Sequence, residues 1–140
     1  MDSAARQRPR VVLANGCFDP FHYGHAIHLV EASQLGDRLL VAVTSDEALE
    51  QEKGRKPHFS QKHRCYVLAE NRRVDFVFSV DGVMEALQRA KPDVFVKGPD
   101  YRGKISREVL EYCNAEHIEI RFTNGPKWSS TELMNELRRN

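Results

Sequence analysis

The 140-residue sequence predicts an α/β fold, a doubly wound, Rossmann-like parallel sheet of five strands in the order 3-2-1-4-5 with helices on both faces. Short apolar runs alternate with longer stretches of helical character from Val11 onward, the pattern of strands that must be covered on both sides. The segment from Asn15 to His25, dense in glycine and histidine, falls between the first apolar run and the first helical stretch. In an open parallel sheet that junction is where ligands bind.

The predicted strands are Val11–Ala14, Leu39–Val43, Phe76–Phe78, Val94–Val96 and Ile118–Phe122. A first helix is expected from about Tyr23 to Leu35, closed by Gly36 in the left-handed conformation. Ser45-Asp46 caps a second helix that Gly54 to Pro57 must break, and Ser60 opens a third that carries Tyr66, Val67 and Leu68 inward. Asp81-Gly82 opens a short helix with Met84 and Leu87 on one face, ended by Lys91-Pro92. Lys97 to Lys104 reads as a polar loop, followed by an amphipathic helix marked by Val109, Leu110 and Cys113. Ser129 and Glu132 form a capping box for a last helix. No repeat or composition break divides the chain, so residues 1–140 are assigned to one domain with residues 1–9 as a loose tail.

The balance of 21 basic against 20 acidic side chains gives a net charge of +1. That excludes the charge excess of a duplex-binding protein or a polybasic membrane anchor, so an anionic ligand must be caught locally. Cys17, Cys65 and Cys113 are three in number without a CxxC spacing, which points away from a disulfide framework and towards a reducing cytoplasm. They read most simply as small buried hydrophobes. No apolar run approaches the roughly 18 residues of a membrane helix.

Within Asn15–His25, Gly16 and Gly24 allow close backbone approach, and the helix that follows aims unpaired N–H groups at an anion. His22 and His25, three apart at a helix start, can both face one phosphate group. A metal reading adds His28 and Cys17. It is disfavoured because imidazoles at successive i, i+3 steps rotate apart by about 60° per step, which also turns His28 from the cleft. Lys53, Arg55 and Lys56 form a basic loop that is either a solvated turn or a mobile flap. Arg64 and Arg72, eight apart, are expected on nearly one face of a helix.

Asn15-Gly16-Cys17-Phe18-Asp19-Pro20-Phe21-His22-Tyr23-Gly24-His25 resembles the HxGH signature of the cytidylyltransferase-like nucleotidyltransferases. Leu35-Gly36-Asp37-Arg38, Val41 to Asp46, Val74-Asp75 and Val94 to Tyr101 extend the likeness over residues 11–137. Val96-Lys97-Gly98-Pro99-Asp100-Tyr101 and the Lys53–Pro57 loop are similar to the heptose-1-phosphate adenylyltransferase domain, which uses ATP. Asp100-Tyr101-Arg102-Gly103-Lys104 is similar to glycerol-3-phosphate cytidylyltransferase, which uses CTP. The Phe18–His25 and Ser129–Glu132 segments also resemble nicotinate mononucleotide adenylyltransferase, a longer family without the KGxDY element.

The resemblance implies in-line transfer of CMP or AMP to a phosphorylated sugar or polyol, with pyrophosphate leaving and Mg2+ held largely by phosphates and water. It implies catalytic roles for His22, His25 and Lys53. Nucleotide binding falls to Gly16, Cys17, Phe18 and Gly24, to Lys97, Gly98 and Asp100, and to Lys127, Ser129, Ser130 and Thr131. Asp19, Asp46, Arg55, Arg64, Arg72 and Tyr101 are implied as substrate-binding. It further implies a homodimer and no metal site built from protein ligands, while the charge balance and the short apolar runs predict no nucleic-acid or membrane partner. The sequence departs from the family where Asn124 replaces an arginine and Trp128 an isoleucine, with Lys127 offering only a point charge. Ser129–Thr131 serve helix capping as well as phosphate binding, since both use the same helix end. The contrasting class is a nucleotide-binding module without turnover. A class I aminoacyl-tRNA synthetase fragment also carries HxGH, but this chain has no evident KMSKS.

Overall fold

The protein, seen in a computed structural model, is described over residues 8–125 and at Arg138. Every predicted strand forms: β1 (Val11–Gly16), β2 (Arg38–Thr44), β3 (Phe76–Val80), β4 (Val94–Lys97) and β5 (Glu119–Phe122). All neighbours pair in parallel, in the order β3-β2-β1-β4-β5. The connecting helices are α1 (Tyr23–Ser33), α2 (Asp46–Lys53), α3 (Gln61–Ala69), α4 (Val83–Ala90) and α5 (Arg107–Ala115). A single 3-10 turn covers Pro99–Tyr101 in the loop after β4.

The pleat of β1 divides the core. Val12 and Ala14 point to one side, packed with Leu29 and Ala32 of α1 and Leu68 of α3. Leu13 points to the other, with Ala86 and Leu87 of α4 and Val109 and Cys113 of α5. Burial on both faces is what the unbroken apolar runs require. Because the chain proceeds from β1 outward to β3 and then returns to the far side of β1, the strand order reverses beside β1. The β1–β4 register ends at Ala14–Val96, whereas β1 itself runs on to Gly16. Asn15 and Gly16 therefore stand at the edge of a gap between the strand ends.

The helix caps follow the sequence at Ser45, Ser60 and Ser106, whose hydroxyls accept from the amides of Ala48, His63 and Val109. Gly54 closes α2 at φ 69°, a conformation that favours glycine. Four expectations are corrected. α1 ends at Ser33 with Gln34 in right-handed conformation, and Gly36 has no positive φ; a Cβ there would lie 2.7 Å from the Arg10 carbonyl oxygen and 2.8 Å from Val12 Cγ2. Glycine is needed at that position for close approach to β1. Of the α3 trio only Leu68 is buried; Tyr66 and Val67 are exposed, because the inward positions fall to Arg64 and Leu68. Leu110 likewise faces outward. The loose tail is shorter at its inner end: the Arg8 guanidinium donates to both carboxylate oxygens of Asp93, at 2.9 and 2.7 Å, and Asp93 also accepts from the Val11 amide.

Gly36→Ala is expected to destabilise the fold by about 1–3 kcal/mol, since its Cβ meets backbone that has no room to retreat. Chemical denaturation measures it, and unchanged stability would contradict this account of Gly36.

Candidate active site

The loop between β1 and α1 is built by unusual means. Phe18 takes a left-handed backbone (φ 51°) that turns the chain from the strand, and its ring packs edge-on to His25 at 5.1 Å. A Cβ on Gly16 would come within 3.2 Å of that ring, so Gly16 serves packing as well as lining the cleft. His22 is the N-cap of α1. Its Nδ1 accepts from the Gly24 amide at 3.0 Å, while His25 Nδ1 accepts from the His22 amide at 3.3 Å. This is the reciprocal capping box, made here by two imidazoles in place of the usual Ser/Thr and Glu.

Two consequences follow for chemistry. Both Nδ1 atoms are committed as acceptors, so each neutral ring carries its proton on Nε2. The rings stack at 3.8 Å, and a Cβ on Gly24 would lie 3.0 Å from His22 Cε1; glycine at that position is what lets the first imidazole fold back. Burial lowers the His22 pKa. Burial, with repulsion from His22 and His28, pushes His25 down to about 4, against a small opposing effect of the Pro20 carbonyl.

These rings open on a cleft of about 1090 Å³ at the carboxyl ends of the strands. It gathers Gly16, Cys17, Phe18, Asp19, His22, Gly24, His25, Lys53, Arg55, Lys97, Gly98, Asp100 and Tyr101 from the sequence reading. His25 and Asp100 thus meet at one cavity, as the switch-point reading requires. Lys97 is nearly buried at its floor; Nζ donates to the Asn15 carbonyl at 2.9 Å and lies 4.1 Å from the centre of the Tyr101 ring. Burial lowers its pKa to about 8, with Glu52 and Cys17 opposing and Lys53 reinforcing the shift. Cys17 is only half-buried in the cleft wall and Cys65 is also half-buried, so of the three cysteines Cys113 alone fits the expectation of a buried hydrophobe.

Asp19 is not available to orient substrate. Its side chain, 1% exposed, accepts from Arg55 at 3.0 Å and from the amides of His58 and Phe59 at 2.8 and 2.9 Å. Burial alone would raise its pKa, but these donors outweigh it and hold the carboxyl below its ordinary value. The 55–59 part of the basic loop is therefore latched to the turn that carries His22 and His25, whereas Lys53 is the last residue of α2; Lys53 and Arg55 line the cleft and Lys56 is exposed.

Three implied substrate-binding residues lie outside the cleft lining. Arg64, with 1% of its side chain exposed, donates to the carbonyls of Phe59, Cys17 and Thr44 and pairs with Asp46 at 2.8 Å. It is a strut that joins α3 to the ends of β1 and β2, and Asp46 is its counter-charge. Arg72 is exposed beyond α3, which ends at Ala69, so the eight-residue spacing never lies on one helix. Lys127, Ser129, Ser130 and Thr131, with their capping box, lie outside the described residues.

Sequence reasoning missed His28, Thr123, Glu52, Asp81 and Gly82, which also line the cleft. Asp81-Gly82 directly follow β3, a position that could have marked them. The expectation that His28 turns away fails because His22 is an extended cap outside the helix, leaving one rotation of about 60° between His25 and His28. All three imidazoles commit Nδ1, His28 to Thr123 Oγ1 at 2.8 Å. Among the described residues no group of three or more His, Cys, Asp or Glu is gathered for a metal ion, and no helix is long and apolar enough to cross a membrane.

The turn that carries His22 and His25 lies at the switch point of a 3-2-1-4-5 sheet, and the chain belongs to the cytidylyltransferase-like family, whose model matches residues 13–136. Among its relatives is a bifunctional protein HldE of Helicobacter pylori, 35% identical over 99% of this chain. HldE of a Nitratiruptor species is 40% identical over 92% of this chain. The chain spans 30% and 28% of the length of these two relatives. A solved lipopolysaccharide core biosynthesis protein from Thermoplasma volcanium is 28% identical with a TM-score of 0.73, covering 86% of this chain and 100% of its own. Pantothenate synthetase of Thermus thermophilus, 13% identical with a TM-score of 0.57 over 84% of this chain and 56% of its own, shares the fold alone.

The buried histidines make stability sensitive to acid. His25 and His28 have pKa values pushed down to about 4 from the ordinary 6.5, so the unfolded chain binds more protons between those limits. Their contribution is fully present above about pH 6.5 and is lost as pH falls towards 4. The urea midpoint is expected to drop between about pH 7 and about pH 5 with an unchanged slope. A flat profile over that window would show that the rings are not neutral in the fold.

Proposed function

We propose that this chain transfers the nucleoside monophosphate of ATP or CTP to the phosphate of a phosphorylated sugar or polyol, releasing pyrophosphate. The observation that carries this reading is the His22–His25 capping box, which holds both imidazoles at the head of a helix and in the lining of the cleft. The Thermoplasma relative's description as a lipopolysaccharide core biosynthesis protein supports a sugar phosphate as acceptor. The Lys97-Gly98-Pro99-Asp100-Tyr101 element, similar to the heptose-1-phosphate adenylyltransferase domain, favours ATP as donor.

A phosphate acceptor is already an anionic nucleophile, so no strong base is required. One of its oxygens attacks the α-phosphorus in line, the new P–O bond forms, and the bond from the α-phosphorus to the bridging oxygen breaks. Pyrophosphate departs with that electron pair. The protein's part is positioning and charge stabilisation. His22 and His25 donate to oxygens that gain charge as the bond breaks, the α1 amino terminus adds its dipole, and Lys53 and Lys97 supply positive charge to the same cleft. Of the cleft carboxylates, Asp19 is taken by Arg55 and two amides, and Asp81 accepts from Ser45 at 2.7 Å. Mg2+ bound by the phosphates and water would neutralise phosphate charge.

The odd number of cysteines, Cys17, Cys65 and Cys113, without a CxxC spacing, supports a reducing, cytoplasmic setting. A homodimer is supported by exposed Tyr66 and Val67 on α3 and Phe76 on the adjoining edge strand β3. A mass of two chains is expected in solution at micromolar concentration, and a persistent monomer would overturn it.

Turnover tests the main reading. ATP, CTP, GTP and UTP are each paired with heptose 1-phosphate, glycerol 3-phosphate, phosphocholine and nicotinate mononucleotide, with pyrophosphate as readout. Release is expected with a sugar or polyol phosphate; binding without release from any pair would leave a silent nucleotide-binding module. His25→Ala and His22→Ala should each lower kcat by at least about a hundredfold, since one preorganised donor is worth about 3–4 kcal/mol in the barrier. Calorimetry should still show nucleotide binding, and an equal loss in affinity would place these rings in ground-state binding instead.

A further inference from the structure

We propose that His28 is a third donor of the cleft, which contacts the phosphate chain of the bound nucleoside triphosphate through Nε2 while Thr123 fixes its ring through Nδ1. This rests on the nucleotide reading above and adds a residue outside the HxGH motif.

The ring spans two elements. It projects from α1, one turn beyond His25, and its Nδ1 lies 2.8 Å from the hydroxyl of Thr123, the residue that follows β5. Thr123 is almost fully buried, and its amide donates to the Lys97 carbonyl at 3.0 Å, so its position is set by the sheet. Among the described residues its hydroxyl has Nδ1 as its hydrogen-bond partner. A buried hydroxyl proton left unpaired is costly, so the hydroxyl donates and Nδ1 accepts. The ring proton then sits on Nε2.

Nε2 makes no hydrogen bond among the described residues, yet the ring lines the cleft. His28 thereby shares one feature with His22 and His25, an Nδ1 tied back to the protein on a ring that lines the cleft. Burial beside the Lys97 ammonium keeps the imidazole neutral, partly opposed by Glu31, with its pKa pushed down to about 4. A neutral N–H donor next to a buried lysine, in the same cleft as two further N–H donors, matches an extended anion with several acceptor oxygens. It does not match a single carboxylate. A triphosphate has that length, and Lys97 and His28 extend the site from the His22–His25 pair towards the end of β5.

Two isosteric substitutions separate the roles of the two nitrogens. An asparagine side-chain amide at this position would occupy the place of Nδ1, and that of a glutamine the place of Nε2. His28→Asn therefore keeps a partner for Thr123 and removes the donor from the cleft, whereas His28→Gln keeps the donor and gives up Thr123. Binding of ATP, CTP and inorganic triphosphate, with Mg2+, is measured by calorimetry at about pH 7.5 on the full chain, alongside thermal melting. His28→Gln is expected to bind within about threefold of the native chain and His28→Asn about tenfold or more weakly, the size of one hydrogen bond to a charged group. His28→Asn should nevertheless be the less perturbed in melting temperature. Native-like binding by both variants, or a larger loss for His28→Gln, would overturn the proposal and leave His28 as a strut for Thr123. Failure of the native chain to bind any of the three anions would overturn the nucleotide reading itself and this inference with it.

Discussion

The site depends on an economy at the head of α1, where the groups that close the helix are also those that line the cleft. A helix beginning inside a cleft exposes unpaired amides, and a serine or aspartate cap would satisfy them without leaving a second donor for the opening. Here His22 and His25 each use one ring nitrogen in the cap, and both rings line the cleft. Gly24 is the geometric condition for this, because any side chain at that position would press on the His22 ring. Sheet topology then determines what the rings see: β1 outlasts its pairing with β4, and the cavity opens where that pairing stops.

Electrostatics within the cleft follow from the same crowding. His22, His25, His28 and Lys97 all have pKa values below their ordinary range, in each case chiefly through burial. The site therefore presents directed N–H dipoles with little full charge on the rings, and avoids assembling several mutually repelling cations in a half-buried space. An arriving anion reverses the balance, since its charge favours protonation of the same groups.

The strands are legible in the sequence because buried parallel strands leave continuous apolar runs, and the serine caps because their spacing to the helix is local. The HxGH turn is legible in position and in chemistry. What escapes the sequence is direction. Arg64 has the type of a ligand-facing cation, yet it turns inward, because the carbonyls of Cys17 and Thr44 at the strand ends need a donor and a guanidinium can serve several at once. His28 is misplaced by any count of helical turns that starts from His22, a residue outside the helix. Gly36 has the position of a helix terminator, when its lack of a side chain serves a contact with Arg10, 26 residues earlier in the chain. Long-range packing of this kind leaves no periodic trace.

The anchoring of the 55–59 loop by Asp19 has a mechanical meaning. Asp19 stands three residues before His22, and its buried carboxylate grips the loop at three points. Gly54, in a left-handed conformation with open space around it, separates that loop from α2. The loop is thus registered to the histidine turn more firmly than to the helix it leaves, as a gauge block is referenced to the tool it sets. Lys53, on the helix side of Gly54, and Arg55, on the latched side, are mounted on different bodies. The distance between these two cations reports the alignment of α2 with the histidine turn.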